Sequence, residues 1–162
     1  MDTQRKVGFE PVFDEHSRVL ILGSFPSVKS RQMDFYYGNK QNRFWRMICG
    51  YFHEPIPESV DGKREFLLRN HVALWDVVTS CEIEGSADAS VKNAEIADLQ
   101  RVLNHANIEK ILLNGTLSYE LFVKNYPDLP ISYQKMPSTS PANPRYQEQL
   151  WKEALDDVFG IS

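Results

Sequence analysis

The alternation of apolar runs with helical stretches predicts an α/β fold, a three-layer α/β/α sandwich around a central, mostly parallel four-stranded sheet. Three observations carry that prediction. The runs RVLILG (18–23), HVALWDVVTS (71–80), IEKILLNG (108–115) and ISYQKMP (131–137) have the length and composition of buried strands. Segments with apolar residues at helical spacing separate them. Each run stops at Gly, Ser or Pro, as a chain does when it crosses a sheet rim. Strands in alternation with helices favour parallel pairing with both faces covered.

Taken in order, the first strand is stopped by Gly23-Ser24 and Pro26, and GSFPSVKSRQMDFYYGNKQ (23–41) follows without helical period. Loops that long in a compact domain are usually functional. Asn42 is placed to cap a helix that turns Phe44, Trp45, Ile48 and Phe52 inward. The polar stretch HEPIPESVDGK leads into a short helix around 64–70, then the second strand. A polar loop is expected over 81–93 and a helix over 95–106. The third strand ends at Asn114-Gly115, and a helix over 116–126 stops before Pro127. The fourth strand opens onto PSTSPANP. A last helix, 145–158, sets Leu150, Leu155, Val158 and Phe159 at core spacing. No internal repeat or linker divides residues 1–162, so one domain is expected.

With 42% hydrophobic and 25% charged residues the composition is that of an ordinary globular protein. MDTQRKVGFE has no apolar leader core, and no run reaches membrane-spanning length. A cytosolic location is expected, or a nuclear one in a eukaryote. Cys49 and Cys81 make no CxxC pair, and His16, His53, His71 and His105 make no HxxxH pair. No metal, iron–sulfur cluster or other cofactor is therefore expected. The net charge of −4 argues against a polyanionic partner. Its distribution argues the other way: Lys29 to Arg46 holds five bases against one acid, with aromatic residues between them. A solvated loop and helix face accounts for that strip equally well.

Several chemistries are excluded. There is no GxGxxG after the first strand, no GxxxxGK[ST] and no GxSxG elbow. In parallel sheets the site lies beyond the carboxyl ends of the strands. Those ends and their loops carry Ser24, Phe25, Tyr36, Tyr37, Asn39, Asp76, Asn93, Asn114, Ser138 and Ser140. Amides, hydroxyls and aromatic rings suit a flat heterocycle, which they can bond at its edge and stack on its face.

GSFPS followed by YYGNKQNRFW resembles the first motif of the mismatch-type uracil/thymine-DNA glycosylases: a Gly-x-Asn-Pro-Gly loop and, after a gap, an aromatic residue and Asn-Arg-Phe-Trp. Here that tetrad is Asn42, Arg43, Phe44 and Trp45. MPSTSPAN looks like their second motif, Asn-Pro-Ser followed by small residues, and LNGTLSYELF matches a strand-to-helix turn of the same group. Two departures set the branch. Phe25 stands in place of the water-positioning asparagine, and Met136 in place of the asparagine that opens the second motif. With Ser-Thr-Ser-Pro-Ala-Asn in the late loop, the pattern is similar to the hypoxanthine-DNA (deoxyinosine) glycosylases of the uracil-DNA glycosylase superfamily.

The resemblance implies a monomeric, metal-free enzyme that extrudes a deaminated base from DNA, hydrolyses its glycosidic bond and leaves an abasic site. Under it, Asn39 and Asn114 are the candidates for positioning water. Gly23, Ser24, Phe25, Tyr37, Asp76 and Asn93 are candidates for binding the base, with Tyr37 as the stacking ring. Ser27, Lys29, Ser30, Arg43, Ser138 and Ser140 are candidates for the DNA backbone. Each has a plainer reading. Gly38-Asn39 and Asn114-Gly115 are turn signals, and Asn93 is placed to cap a helix from Ala94. Asp76 could anchor loop amides, and Tyr36-Tyr37 could be packing. Three rival functions stay open: a G·U/G·T mismatch glycosylase, a DNA-binding relative without catalysis, and a small-molecule nucleoside hydrolase.

Overall fold

Four strands build the central sheet: β2 (Val19–Gly23), β3 (Val72–Asp76), β6 (Lys110–Asn114) and β7 (Ser132–Met136). Their order is β3-β2-β6-β7, and every pair is parallel, in keeping with the mostly parallel four-stranded sheet expected from the sequence. The computed structural model describes residues 4–26, 35–83 and 91–160. All five residues of β2 and of β3, and the first four of β6, are buried. Continuous burial is what two covered faces demand of a parallel sheet, and it explains why these strands read as unbroken apolar runs.

The helices are α1 (Phe44–Tyr51), α2 (Val60–Arg69), the single turn α3 (Gln100–Leu103), α4 (Thr116–Asn125) and α5 (Glu148–Asp156). The Asn42 Oδ1 accepts the Phe44 N–H at 2.9 Å, which secures the first turn of α1. Ser59 does the same for α2 by accepting from Gly62 N at 2.9 Å. The step from β2 to β3 runs one way across the sheet and the step from β6 to β7 the other. Right-handed crossovers then put α1 and α2 on one face and α4 on the opposite face. α5 packs against α1 and against β7. Phe44, Trp45, Met47, Ile48, Phe66, Leu67, Phe122 and Trp151 fill the space between helices and sheet, each at most 5% exposed.

Three strands depart from the expected sandwich. β1 (Gln4–Val7), β4 (Val78–Ile83) and β5 (Val91–Ile96) form a separate antiparallel sheet in the order β1-β4-β5. The run read as one strand over 71–80 is therefore two. At Val77 the chain leaves the parallel sheet, giving its N–H to Gly23 O at 2.8 Å, and Val78 N bonds Ser24 O at 3.0 Å. The expected loop over 81–93 begins and ends in strand. The expected helix over 95–106 contracts to α3, because Val91–Ile96 is paired with β4. Leu150, expected in the core, is 40% exposed; Trp151, Ala154 and Leu155 turn inward from α5 instead.

Candidate active site

The carboxyl ends of the parallel strands open onto a cleft of about 890 Å³. Its position follows from the fold, since β2 and β6 are neighbours whose outgoing connections diverge, and a crevice forms where they part. β2 delivers Gly23, β3 delivers Asp76 and β6 delivers Asn114, with Gly23 and Asp76 side by side in register.

Gly23 is required there. A Cβ on it would stand 2.5 Å from Asp76 Oδ1 and 3.0 Å from the Tyr37 hydroxyl. The missing side chain is thus what allows a carboxylate and a phenol to converge on one point of the sheet rim. Asp76 is 5% exposed, and the Tyr37 hydroxyl is fully enclosed without a hydrogen bond of good geometry. Burial, then the charge of Asp76, drives the Tyr37 pKa upward, and the nearby Asn114 amide opposes part of that shift. The phenol stays protonated and remains a donor. Tyr37 holds a left-handed backbone, φ 54°, unusual for an aromatic residue. Its ring lies on Phe44, with centroids 4.3 Å apart and planes 25° off parallel. One face of the expected stacking ring is therefore occupied by Phe44, and the ring of Tyr36 lies 6.4 Å from it.

Asn39 lines the cleft and also builds a turn. Its Oδ1 accepts from Gln41 N at 3.0 Å, and its backbone carbonyl accepts from Asn42 N at 2.9 Å. Both readings of Gly38-Asn39 thus have a physical basis. Asn114 also lines the cleft, but Thr139 engages both ends of its amide, accepting at 3.0 Å and donating at 3.0 Å. Gly115 follows with φ 99°, and a Cβ there would crowd Ser138 Cβ at 3.2 Å. Only glycine lets the late loop approach so closely.

Gly23, Ser24, Phe25, Tyr37, Asn39, Asp76, Asn114, Ser138 and Ser140 all border this one cleft. Phe25 also packs on Val78 and Cys81 of the antiparallel sheet. Asn93 does not border it, and this corrects its expected place. It sits exposed in β5, φ 51°, and its Nδ2 donates to Glu82 Oε2 at 2.5 Å. No helix starts at Ala94 for it to cap either. Arg43 braces the late loop, donating to Asn143 O at 3.0 Å while its guanidinium lies 4.8 Å from the Tyr146 ring centre. The hydroxyls of Ser138 and Ser140 accept loop N–H groups at 3.1 and 3.2 Å. Ser27, Lys29 and Ser30 lie outside the described residues.

Sequence reading did not single out several residues of the cleft. Lys135 and Arg145 are basic residues at its border, and Asn143 ties the late loop by donating to Ser138 O at 2.9 Å. Thr139, fully buried, is another. Lys135 was hidden inside a strand and Arg145 at the expected start of a helix, outside the basic strip of 29–46. Thr139 and Asn143 stand inside the late-loop motif, but the motif does not tell their roles, and that of Thr139 depends on a partner 25 residues away.

The cleft at the rim of this parallel sheet is thus lined by amides, hydroxyls and the Tyr37 side chain, groups able to hydrogen-bond the edge of a flat heterocycle. The chain belongs to the uracil DNA glycosylase superfamily, whose model matches residues 10–158. It is 36% identical over 118 residues to a hypoxanthine DNA glycosylase of Methanosarcina barkeri, covering 72% of this chain and 75% of that one. A second hypoxanthine DNA glycosylase, of Methanosarcina acetivorans, is 33% identical over 152 residues, covering 91% and 94%. A candidate uracil DNA glycosylase of Methanosarcina acetivorans, solved by solution NMR, superposes with a TM-score of 0.80 at 31% identity, covering 95% of this chain and 98% of that one.

Proposed function

We propose that this protein is a DNA repair glycosylase that hydrolyses the bond between deoxyribose and hypoxanthine in DNA and leaves an abasic site. One observation carries the choice of chemistry: the buried carboxyl of Asp76 stands beside the enclosed Tyr37 hydroxyl at the rim cleft, over a glycine that makes room for both. The two hypoxanthine-excising relatives support the choice of base.

A carboxylate only accepts, whereas Tyr37 donates. Hypoxanthine matches that pair with an N1–H donor and with O6 and N7 acceptors. Adenine presents a bare lone pair at N1, which a carboxylate repels, so the normal purine is disfavoured at the same contact that captures its deaminated form. A site built to bond a particular N–H rejects an analogue lacking it strongly, because its own polar groups are then left unpaired. The base must first leave the stack, at a cost of a few kcal/mol that is smaller for a mispaired base.

Bond cleavage leaves positive charge on the sugar and negative charge on the departing ring. Fixed neutral donors at the ring and a water held near C1′ lower that barrier without a strong acid or base. Asn39 is assigned to the water: it borders the cleft, and only one of its oxygen lone pairs is used by Gln41 N–H. Asn114 is the second candidate. Lys135 and Arg145 at the cleft, with Arg43 beside it, supply positive charge toward the DNA backbone. Binding to DNA therefore weakens as salt rises.

A glycosylase panel over inosine, uracil, xanthine and thymine opposite each normal base tests the reading. Hypoxanthine release is expected to be the fastest. Faster release from G·U or G·T duplexes would return the protein to the mismatch type. Tight binding to inosine-containing DNA with no release would make it a binding module. Salt-independent cleavage of free deoxyinosine would make it a nucleoside hydrolase.

A further inference from the structure

We propose that Thr139 is a positioning residue for base excision, acting through Asn114; the inference deepens the reading above and rests on it. Thr139 is fully buried, although Pro141 and Ala142 of the same loop are exposed. A hydroxyl withdrawn from water at the surface of a protein needs partners. It has Asn114, whose Nδ2 donates to Thr139 Oγ1 at 3.0 Å, while the Thr139 backbone N–H donates to Asn114 Oδ1 at 3.0 Å.

The sense of this pair is fixed. A backbone N–H can only donate, so the oxygen end of the Asn114 amide must face it. The amide is thereby prevented from turning over. What it retains beyond Thr139 is one N–H and one lone pair in a set order, with the amide directed at the Tyr37 hydroxyl at the edge of the cleft. The carbonyl of Thr139 meanwhile accepts the Arg43 N–H at 3.0 Å, and Arg43 directly follows the turn formed by Asn39 and Asn42. One side chain and its peptide thus join the end of β6, the late loop and the turn carrying Asn39. A misplacement of about 1 Å among reacting groups costs on the order of 100-fold in rate, so a joint at this point governs chemistry more than affinity.

Thr139→Val keeps the shape and the backbone N–H but removes the hydroxyl. Single-turnover release of hypoxanthine is expected to fall about tenfold or more, with the Kd for inosine-containing duplex unchanged within about twofold. Thr139→Ser, which keeps the hydroxyl, is expected to restore the rate. In an Asn114→Ala background, Thr139→Val is expected to cost nothing further, because the route through Asn114 is already gone. A wild-type rate for Thr139→Val, or a loss that adds in full to that of Asn114→Ala, would overturn the proposal.

Should the valine variant not fold, NMR of the unsubstituted protein decides. Asn114 side-chain amide protons protected from exchange support the clamp, and exchange as fast as at exposed Asn104 overturns it. That measurement needs no activity. Absence of hypoxanthine release by the wild type would therefore remove the glycosylase reading while leaving the clamp to stand or fall on the amide signals.

Discussion

The two sheets of this molecule are held by different forces. In the parallel sheet Val19, Leu20, Ile21, Leu22, Leu112 and Leu113 are all fully buried, and the strands are fixed by apolar contact on both faces. In the antiparallel sheet the ladder is reinforced by a polar side-chain network: Arg5 Nη2 bonds Ser80 Oγ at 3.0 Å and Glu95 Oε1 at 2.7 Å, and Ser80 Oγ reaches Glu95 Oε1 at 2.7 Å. Both regions carry asparagines, yet their settings differ. Asn114 ends a buried strand and faces the cleft, whereas Asn93 lies exposed on an outer strand and pairs with Glu82. A residue type becomes a candidate for chemistry when a rigid, water-excluding frame aims it, and only the first sheet supplies such a frame.

The sharpest way to break this contrast is to alanine-substitute an asparagine from each setting. Asn39→Ala is expected to lower single-turnover hypoxanthine release by about 100-fold or more. Asn93→Ala should stay within about twofold of wild type. Equal losses in a quench assay would mean that the cleft has been drawn in the wrong place. Leu112→Ala should lower stability in chemical denaturation by about 3 kcal/mol, since it empties a fully buried site. Val7→Ala, at a side chain 74% exposed, should change it by less than about 0.5 kcal/mol.

Gly23→Ala probes the rim directly. The added methyl would meet Asp76 Oδ1 at 2.5 Å, so overpacking of about 1–3 kcal/mol is expected together with slower release of the base. Normal activity and a normal denaturation midpoint would show that Asp76 and Tyr37 need not converge. The smallest effect belongs to the outer sheet. The Glu95 carboxyl is held below its ordinary 4.5, chiefly by the Ser80 hydroxyl and then by Arg5. A depressed carboxyl pKa stabilises the fold fully above the unfolded value, and that contribution is lost as pH falls through the folded value. Ser80→Ala should therefore lower Tm slightly at pH 7 and by less as the pH falls through the folded value of Glu95. A larger effect in acid than at neutrality would contradict the assignment.

How legible each region was follows from the same contrast. Continuous apolar runs revealed β2, β3 and β6, because burial on both faces leaves no room for polar residues. Gln4–Val7 and Val91–Ile96 carry charge and amide at most positions and gave no such signal; they are strands because β4 lies between them. Without that knowledge, 91–96 reads as loop and helix start, and Asn93 as a cap. The rim rule placed Gly23, Tyr37, Asn39, Asp76 and Asn114 at one cleft, since it needs only the ends of strands that were already visible. Thr139 escaped because its meaning lies 25 residues away, at the Asn114 amide.

One residue, Val77, separates a strand of the large sheet from a strand of the small one, and its N–H is fastened to Gly23 O at 2.8 Å. So short a coupling has no slack. The setting of Asp76 at the rim of the cleft is therefore tied to that of the small sheet, one residue further along the chain.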